Sequence, residues 1–305
     1  MSQTRFERLE RLLPQDTLTR GCPMSGYTTM KVGGPARLMM EVRDAQQVAL
    51  ALEAAGREKI PVLLLGNGSN LLVADEGFEG LVIHFGRAYS QVVLEGRKIT
   101  AQAGASLMGL SRLATEHSLT GLEFAAGIPA SVGGAALMNA GAYGSEMAEI
   151  ITSVECLDEK GERRVLRKEE IGFGYRDSLM MRSRYTVLSV TMALRPGSQE
   201  MISNLVQDYQ KRRREKQPLN YPSCGSFFKR PEGYYAGALI EAAGLKGARI
   251  GGAEVSRLHA GFLINVGMAT AADLFALMDH VRETVRAASG VWLEPEVRLI
   301  GRKQP

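Results

Sequence analysis

The sequence predicts a mixed α/β protein in more than one lobe, followed by a smaller α+β unit. Three observations predict it. From Thr28 onward, short apolar runs alternate with Gly-rich turns and amphipathic stretches, as in PVLLLGNGSNLLVADEGFEGLVIHF and SLMGLSRLATEHSL. The texture then shifts at SQEMISNLVQDYQKRRREKQP, a polar helix that gathers five basic residues from Lys211 to Lys216 and stops at Pro218. Beyond it, the remaining chain reads helix, strand, long helix, strand.

Each element has a local reason. Phe6, Leu9, Leu12 and Leu13 follow helical spacing up to Pro14, so the segment 1–27 is read as helical. MKVGGPARLMMEV suggests a strand, a Gly-Gly-Pro turn and a second strand, after which Asp44 caps a helix through Ala55. RKITAQAGAS gives another strand. SVECLDEKGERRVLRKEEI reads as a hairpin turning at Lys160-Gly161, and TVLSVTMALRP as a strand ending before Pro196. In the tail, YYAGALIEAAGLKG is a helix closed by Gly244, HAGFLINV a strand, TAADLFALMDHVRETVRAASG a long helix and VWLEPEVRLIG the last strand. The domain boundary falls near 196–200.

With 305 residues, 45% hydrophobic and 23% charged, the chain can bury a substantial core. A net charge of +4 suits anionic ligands without singling out nucleic acid. Cys22, Cys156 and Cys224 are scattered, and His84, His117, His259 and His280 have no metal-ligand spacing, so neither a disulfide framework nor a metal is expected. The charged, amphipathic start is unlike a signal peptide, and a cytoplasmic protein with no membrane or nucleic-acid partner is the natural expectation.

The stretch GIPASVGGAALMNAGAYG (127–144) holds five glycines and five alanines, and no charge occurs from Phe124 to Ser145. It is too glycine-rich for a membrane span or a core helix and too apolar for a solvated tether. What remains is ordered backbone that lies close to a neighbour, either another strand or a large flat ligand. GNGSN (66–70) follows the apolar run VLLLG and reads alone as a tight turn or as a phosphate-binding loop. It lacks the third glycine and the helix of a dinucleotide fingerprint. Two uncharged Gly-rich loops together favour an extended phosphate-bearing ligand held by backbone.

In PSCGSFFKRP, Ser226 has no G-x-S-x-G elbow around it, so it reads as a proton donor or ligand-binding hydroxyl, or else as a turn or N-cap serine. Cys224 reads as a small buried hydrophobe. GYRDS sets Arg176 beside Tyr175. LEPEVR places Glu294 and Glu296 on one face if Pro295 does not break the pleat, with a solvent-facing edge strand as the plain alternative. KRRREK is either a solvated helix end or a pyrophosphate clamp.

TTMKVGGPARL, LGNGSNLLV, AGIPASVGGAALMNAGAYG, GYRDS, CGSFFKRP and WLEPEVR, in this order from about Thr28 to Ile300, resemble the UDP-N-acetylenolpyruvoylglucosamine reductase (MurB) family of peptidoglycan synthesis. The resemblance implies an FAD-binding region of the vanillyl-alcohol oxidase (PCMH) type over 28–196, in two lobes split near 86, and a C-terminal α+β substrate domain over 200–305. It implies non-covalent FAD, with NADPH and a UDP-sugar as small-molecule substrates, in an enzyme expected to be a monomer. FAD would be held by Gly66, Asn67, Gly68, Ser69 and Asn70, by Ala126, Gly127, Ile128, Pro129, Ser131, Val132 and Gly133, and by Asn139 and Gly141. Ser226 would be the proton donor, with Arg176 and Glu296 stabilising an enolate-like intermediate. Tyr175, Arg213, Lys216, Arg230 and His259 would bind the UDP-sugar. Ala130 stands where the family pattern has glycine, and Met30 where phenylalanine is usual. The chain resembles the compact subtype without an extra substrate-covering loop. An FAD oxidase on the same fold and a nucleic-acid binder using KRRREK are the competing classes. The first has no reason to combine CGSFF with EPEVR, and the second rests on one short basic run.

Overall fold

The computed structural model describes residues 4–301. By contacts they divide into two compact units that do not follow sequence order. One comprises the residues up to Thr19 with Leu38–Asn67 and Gly80–Arg212, and the other Arg20–Arg37, Gly68–Glu79 and the residues from Arg213 on. Each has its own apolar core.

The first unit opens with the helix Arg5–Leu12, fixed by a reciprocal Thr4–Glu7 capping box and packed through Phe6 and Leu9. The segment 1–27 is not helical throughout, because Leu18–Pro23 forms a strand. A four-stranded sheet has the order Leu18–Pro23, Pro35–Glu41, Phe78–His84, Val62–Leu65, and its last two strands are parallel. Asp44 caps Ala45–Arg57 by accepting from the Gln47 N–H at 2.8 Å, and that helix buries Val48, Ala51, Ala54 and Ala55. A five-stranded antiparallel sheet follows, ordered Arg163–Arg167, Ile151–Leu157, Thr186–Ala193, Lys98–Gln102, Val92–Glu95. The hairpin between its first two strands turns where expected, with Asp158 Oδ1 accepting from the Lys160 and Glu162 N–H groups at 2.9 Å each.

The second unit is built on a three-stranded antiparallel sheet, Arg249–Ile250, Ala253–Val255 and Leu263–Asn265, against which the helix Ala271–Ser289 packs. Leu71–Val73 pairs in parallel with Arg298–Ile300. Two expected strands are shorter than their apolar patterns. MKVGG is a turn, with Lys31 at φ 59° and the Thr28 hydroxyl donating to Val32 O at 2.8 Å, so its strand begins only at Pro35. VWLEPEVRLIG is regular strand only over Arg298–Ile300, because Pro295 has no N–H for a ladder. No helix of the described residues is long and apolar enough to cross a membrane.

The long helix is capped twice. Thr270 and Asp273 form a capping box, and both oxygens of Asp75 accept from the Ala271 and Ala272 N–H groups at 2.9 Å. The Thr270 and Gly252 N–H groups hold the Asp273 carboxyl below its ordinary pKa. Its contribution is therefore present above pH of about 4 and is lost as pH falls through the folded-state value. Asp273→Asn should lower stability by about 1 kcal/mol at pH 7. The gap to wild type should close in denaturant titrations run below pH of about 4.

Candidate active site

GNGSN leaves the strand Val62–Leu65 as a tight loop. None of the backbone N–H groups from Gly66 to Asn70 donates to another group of the described residues. Consecutive free amides along one turn form a concave anion site. Two side chains of the loop bond to protein carbonyls. Asn67 Nδ2 donates to Pro129 O at 3.3 Å, and Asn70 Nδ2 to Glu296 O at 3.1 Å.

The Gly/Ala stretch forms the short helix Val132–Leu137, with the Ser131 hydroxyl accepting from the Gly134 N–H at 3.4 Å. Its glycines answer first to protein neighbours. A Cβ on Gly133 would sit 2.7 Å from Ala103 Cβ, and one on Gly66 would overlap the Ser131 hydroxyl. The Val132 and Gly133 N–H groups donate to Ala105 O and Ala103 O at 2.8 and 2.9 Å. Both amides are therefore engaged with protein carbonyls, and the two glycines are required by close packing. Gly66, Ser131, Gly133 and Gly134 border a cleft whose other walls include Leu65, Phe85, Leu137 and Tyr185. An uncharged wall of this kind fits a flat aromatic ring beside a phosphate-binding turn, so FAD fits the residues present. Phe85 and Tyr185 were not singled out in the sequence, because each merely flanks an ordinary apolar run. Ala126 is buried, Gly127 and Ile128 are half-buried and Pro129 is exposed.

Asn139 also turns its side chain to the protein. It is fully buried, donating from Nδ2 to Gly174 O at 3.0 Å and accepting at Oδ1 from the Ala148 N–H at 2.9 Å. Gly174 and Asp177 exchange two backbone hydrogen bonds at 3.0 and 3.2 Å, which makes Tyr175-Arg176 a two-residue loop. Arg176 has φ 55°, and its Nη2 donates to Gly141 O at 3.3 Å while the guanidinium lies 5.2 Å from the Tyr175 ring centroid.

In the second unit, CGSFF and EPEV are joined by main chain. Phe227 N–H donates to Gly261 O at 2.8 Å, Phe227 O accepts from the Glu296 N–H at 2.9 Å, and the Lys229 N–H donates to Glu294 O at 2.8 Å. Phe227 and Phe228 are buried, whereas Ser226 is exposed. The Ser226 hydroxyl caps no helix and has no hydrogen-bond partner among the described residues, so the N-cap reading falls away. The two glutamates differ. Glu294 is exposed and paired with Lys229 Nζ at 3.1 Å, and Glu296 is half-buried. Cys224 donates from Sγ to Leu71 O at 3.1 Å, and burial pushes its thiol up to about 12. It is no nucleophile.

The basic candidates also lie in this unit. Arg213 and Lys216 end the helix Gln199–Lys216, and the Arg230 guanidinium lies 3.9 Å from the Tyr235 ring centroid. His259 Nδ1 accepts from the Gly261 N–H at 3.1 Å, and burial lowers its pKa. Its imidazole is therefore neutral, with the proton on Nε2.

Two family models match the chain: an FAD binding domain over residues 36–167, and the UDP-N-acetylenolpyruvoylglucosamine reductase C-terminal domain over 217–300. A reductase of that name from Caldanaerobacter subterraneus is 44% identical over 99% of this chain and 100% of its own length. One from Streptococcus agalactiae is 48% identical over 92% and 93% of the two chains. The crystal structure of the reductase from Thermus caldophilus superposes with a TM-score of 0.79 at 36% identity, covering 91% of this chain and 97% of its own. At 14% identity and a TM-score of 0.50, a Phl p 4 variant described as a glucose oxidase shares the fold over 65% of this chain and 45% of its own. The fold class expected from sequence, a PCMH-type FAD-binding region with a C-terminal reductase domain, is the one found.

All three cysteines are buried, and the Cys156 and Cys224 thiols are raised to about 11 and about 12 by burial. Native protein should therefore give no rapid reaction with a thiol reagent at pH 8. The same preparation in denaturant should give three equivalents, one for each cysteine of the sequence.

Proposed function

The chain belongs to the UDP-N-acetylenolpyruvoylglucosamine reductase family, and from that membership we propose that it reduces UDP-N-acetylglucosamine enolpyruvate to UDP-N-acetylmuramate for peptidoglycan synthesis. FAD is the resident cofactor and NADPH the reductant. The observation that carries this reading is the main-chain pairing of residues 227–229 with 294–296, which holds an exposed serine hydroxyl and a half-buried glutamate on adjoining extended segments. A sugar oxidase on the same FAD scaffold has no use for that pair.

The reaction turns the vinyl carbon into a methyl group and adds a proton to the carbon beside the carboxylate. Bound FAD supplies the two-electron relay between NADPH and the enolpyruvyl double bond. The first-unit cleft and the amides of Gly66–Asn70 would hold its ring and pyrophosphate. The protein's own task is to stabilise negative charge that builds at the carboxylate-bearing carbon and to deliver one proton there. Arg176 is permanently charged and offers a bidentate fork to that anion. Ser226 presents a hydroxyl unclaimed by other described residues, as a donor must. A serine hydroxyl is weakly acidic in water, so its donation relies on preorganised neighbours, and Glu296 is assigned to stabilise the intermediate by holding a proton toward it. For the nucleotide, Arg213, Lys216 and Arg230 supply positive charge to a diphosphate, and Tyr175 and the Nε2–H of neutral His259 supply uncharged contacts. Substrates of this class are made in the cytoplasm, which is the location this reading carries.

An anaerobic titration tests it. NADPH should bleach the flavin, and UDP-N-acetylglucosamine enolpyruvate added without oxygen should restore the yellow colour. Bleaching without return would leave a flavoprotein with another acceptor. Ser226→Ala should slow the return by about 100-fold or more while the bleaching rate stays within about twofold of wild type. Equal losses in both phases would remove Ser226 from the proton-delivery step.

A further inference from the structure

The loop that carries Arg176 is gripped from beneath by two fully buried side chains. Asn139 spans it: Nδ2 donates to Gly174 O at 3.0 Å, and Oδ1 accepts from the Ala148 N–H at 2.9 Å. Ser178 closes the other side, its hydroxyl donating to Leu137 O at 2.7 Å. Between these two anchors, Arg176 holds φ 55°, in a loop position that ordinarily takes glycine or asparagine. Asn139 itself sits at φ 43°, so its amide reaches Gly174 from a backbone shape that few other residues adopt readily. The same stretch supplies Gly141 O, which accepts from Arg176 Nη2 at 3.3 Å. The arginine is thus fixed at its backbone by Asn139 and at its guanidinium by Gly141, two residues apart on one short segment.

We propose that Asn139 is a positioning residue for the reaction, aiming the Arg176 guanidinium at the anion that forms during substrate reduction, and that it makes no contribution of its own to cofactor binding. The proposal rests on the role given to Arg176 above. Removing the amide frees the Gly174 carbonyl and lets the two-residue loop relax toward an unstrained backbone. The guanidinium then leaves the geometry in which charge stabilisation is worth most.

The test uses flavin-loaded enzyme and rapid anaerobic mixing, with NADPH in one phase and UDP-N-acetylglucosamine enolpyruvate in the other. Asn139→Ala should retain flavin and reduce with NADPH within about twofold of wild type, while reoxidation by the enolpyruvyl substrate slows by about 10-fold or more. In an Arg176→Ala background the same change should cost less than about twofold, because the residue it positions is gone. An equal loss in both backgrounds, or an equal loss in both half-reactions, overturns the proposal in favour of a general structural role. If Arg176→Ala alone reoxidises at the wild-type rate, the role of Arg176 is wrong and the proposal falls with it, a failure visible in that single variant. Should Asn139→Ala not fold, Asn139→Asp is isosteric, keeps the acceptor for Ala148 and loses the donor to Gly174 when ionised. Its reoxidation deficit relative to wild type should shrink as pH falls and the carboxyl regains a proton to donate. A deficit independent of pH overturns the proposal.

Discussion

In the second unit, everything of chemical interest hangs on main-chain pairing among three segments that are far apart in sequence. Leu71–Val73 runs parallel to Arg298–Ile300, Asn70 O accepts from the Arg298 N–H at 3.0 Å, and Phe227 O accepts from the Glu296 N–H at 2.9 Å. Side chains reinforce the same junction. Asn70 Nδ2 reaches Glu296 O, Cys224 Sγ reaches Leu71 O, and Thr29 Oγ1 donates to Ser223 O at 2.7 Å. Ser226 and Glu296 are therefore placed by hydrogen bonds that no single side-chain change can remove. Phe227, fully buried beside Ser226, adds about 2–3 kcal/mol of apolar burial to hold that register. A site prepared this way spends no reorganisation at the moment charge develops.

The same construction explains what the sequence made legible. Helices were the most readable elements: the helix expected after Asp44 and through Ala55 is found as Ala45–Arg57, and Leu107–Glu116 and Ala271–Ser289 fall within the stretches read as helical, with Ser106 and Thr270 as their caps. Each boundary is set by a local bond, so local sequence contains it. The strands of the second unit were over-read because their apolar pattern extends beyond their pairing. In VWLEPEVRLIG the pattern spans the segment, yet ladder partners exist only for Arg298–Ile300. Pairing depends on what lies opposite, and Leu71–Val73 is more than 200 residues away in the chain.

Polar residues in the Gly-rich loops spend their side chains on protein partners. Asn67, Asn70 and Asn139 each give their amide to a backbone carbonyl of the protein, at Pro129, Glu296 and Gly174. Ser131 spends its hydroxyl on the Gly134 N–H. What these bonds leave unclaimed is backbone, the N–H groups of Gly66–Asn70, while Gly133 and Gly134 border the cleft. An asparagine in a glycine loop can point either way with the same local pattern, since its amide satisfies a carbonyl as readily as a ligand. Burial decides between the two, and burial is a property of the assembled fold.

Arg176 shows why such inward-turned amides matter. A branched or long side chain at positive φ costs on the order of 1 kcal/mol relative to glycine. Glycine in that loop would fold more easily, and the chain is otherwise free with glycine in this region. An arginine there is a net loss to stability unless surrounding bonds over-determine the loop. They do: two reciprocal backbone bonds between Gly174 and Asp177, the Asn139 and Ser178 anchors, and the contact of the guanidinium with Gly141 O. Each of those bonds is worth about 0.5–1.5 kcal/mol, enough in sum to hold a strained residue in one pose. The strain is confined to a residue whose side chain leaves the loop, and the clamp is confined to residues buried beneath it. That division keeps a charged group rigid, which a flexible arginine on an unstrained loop would not be.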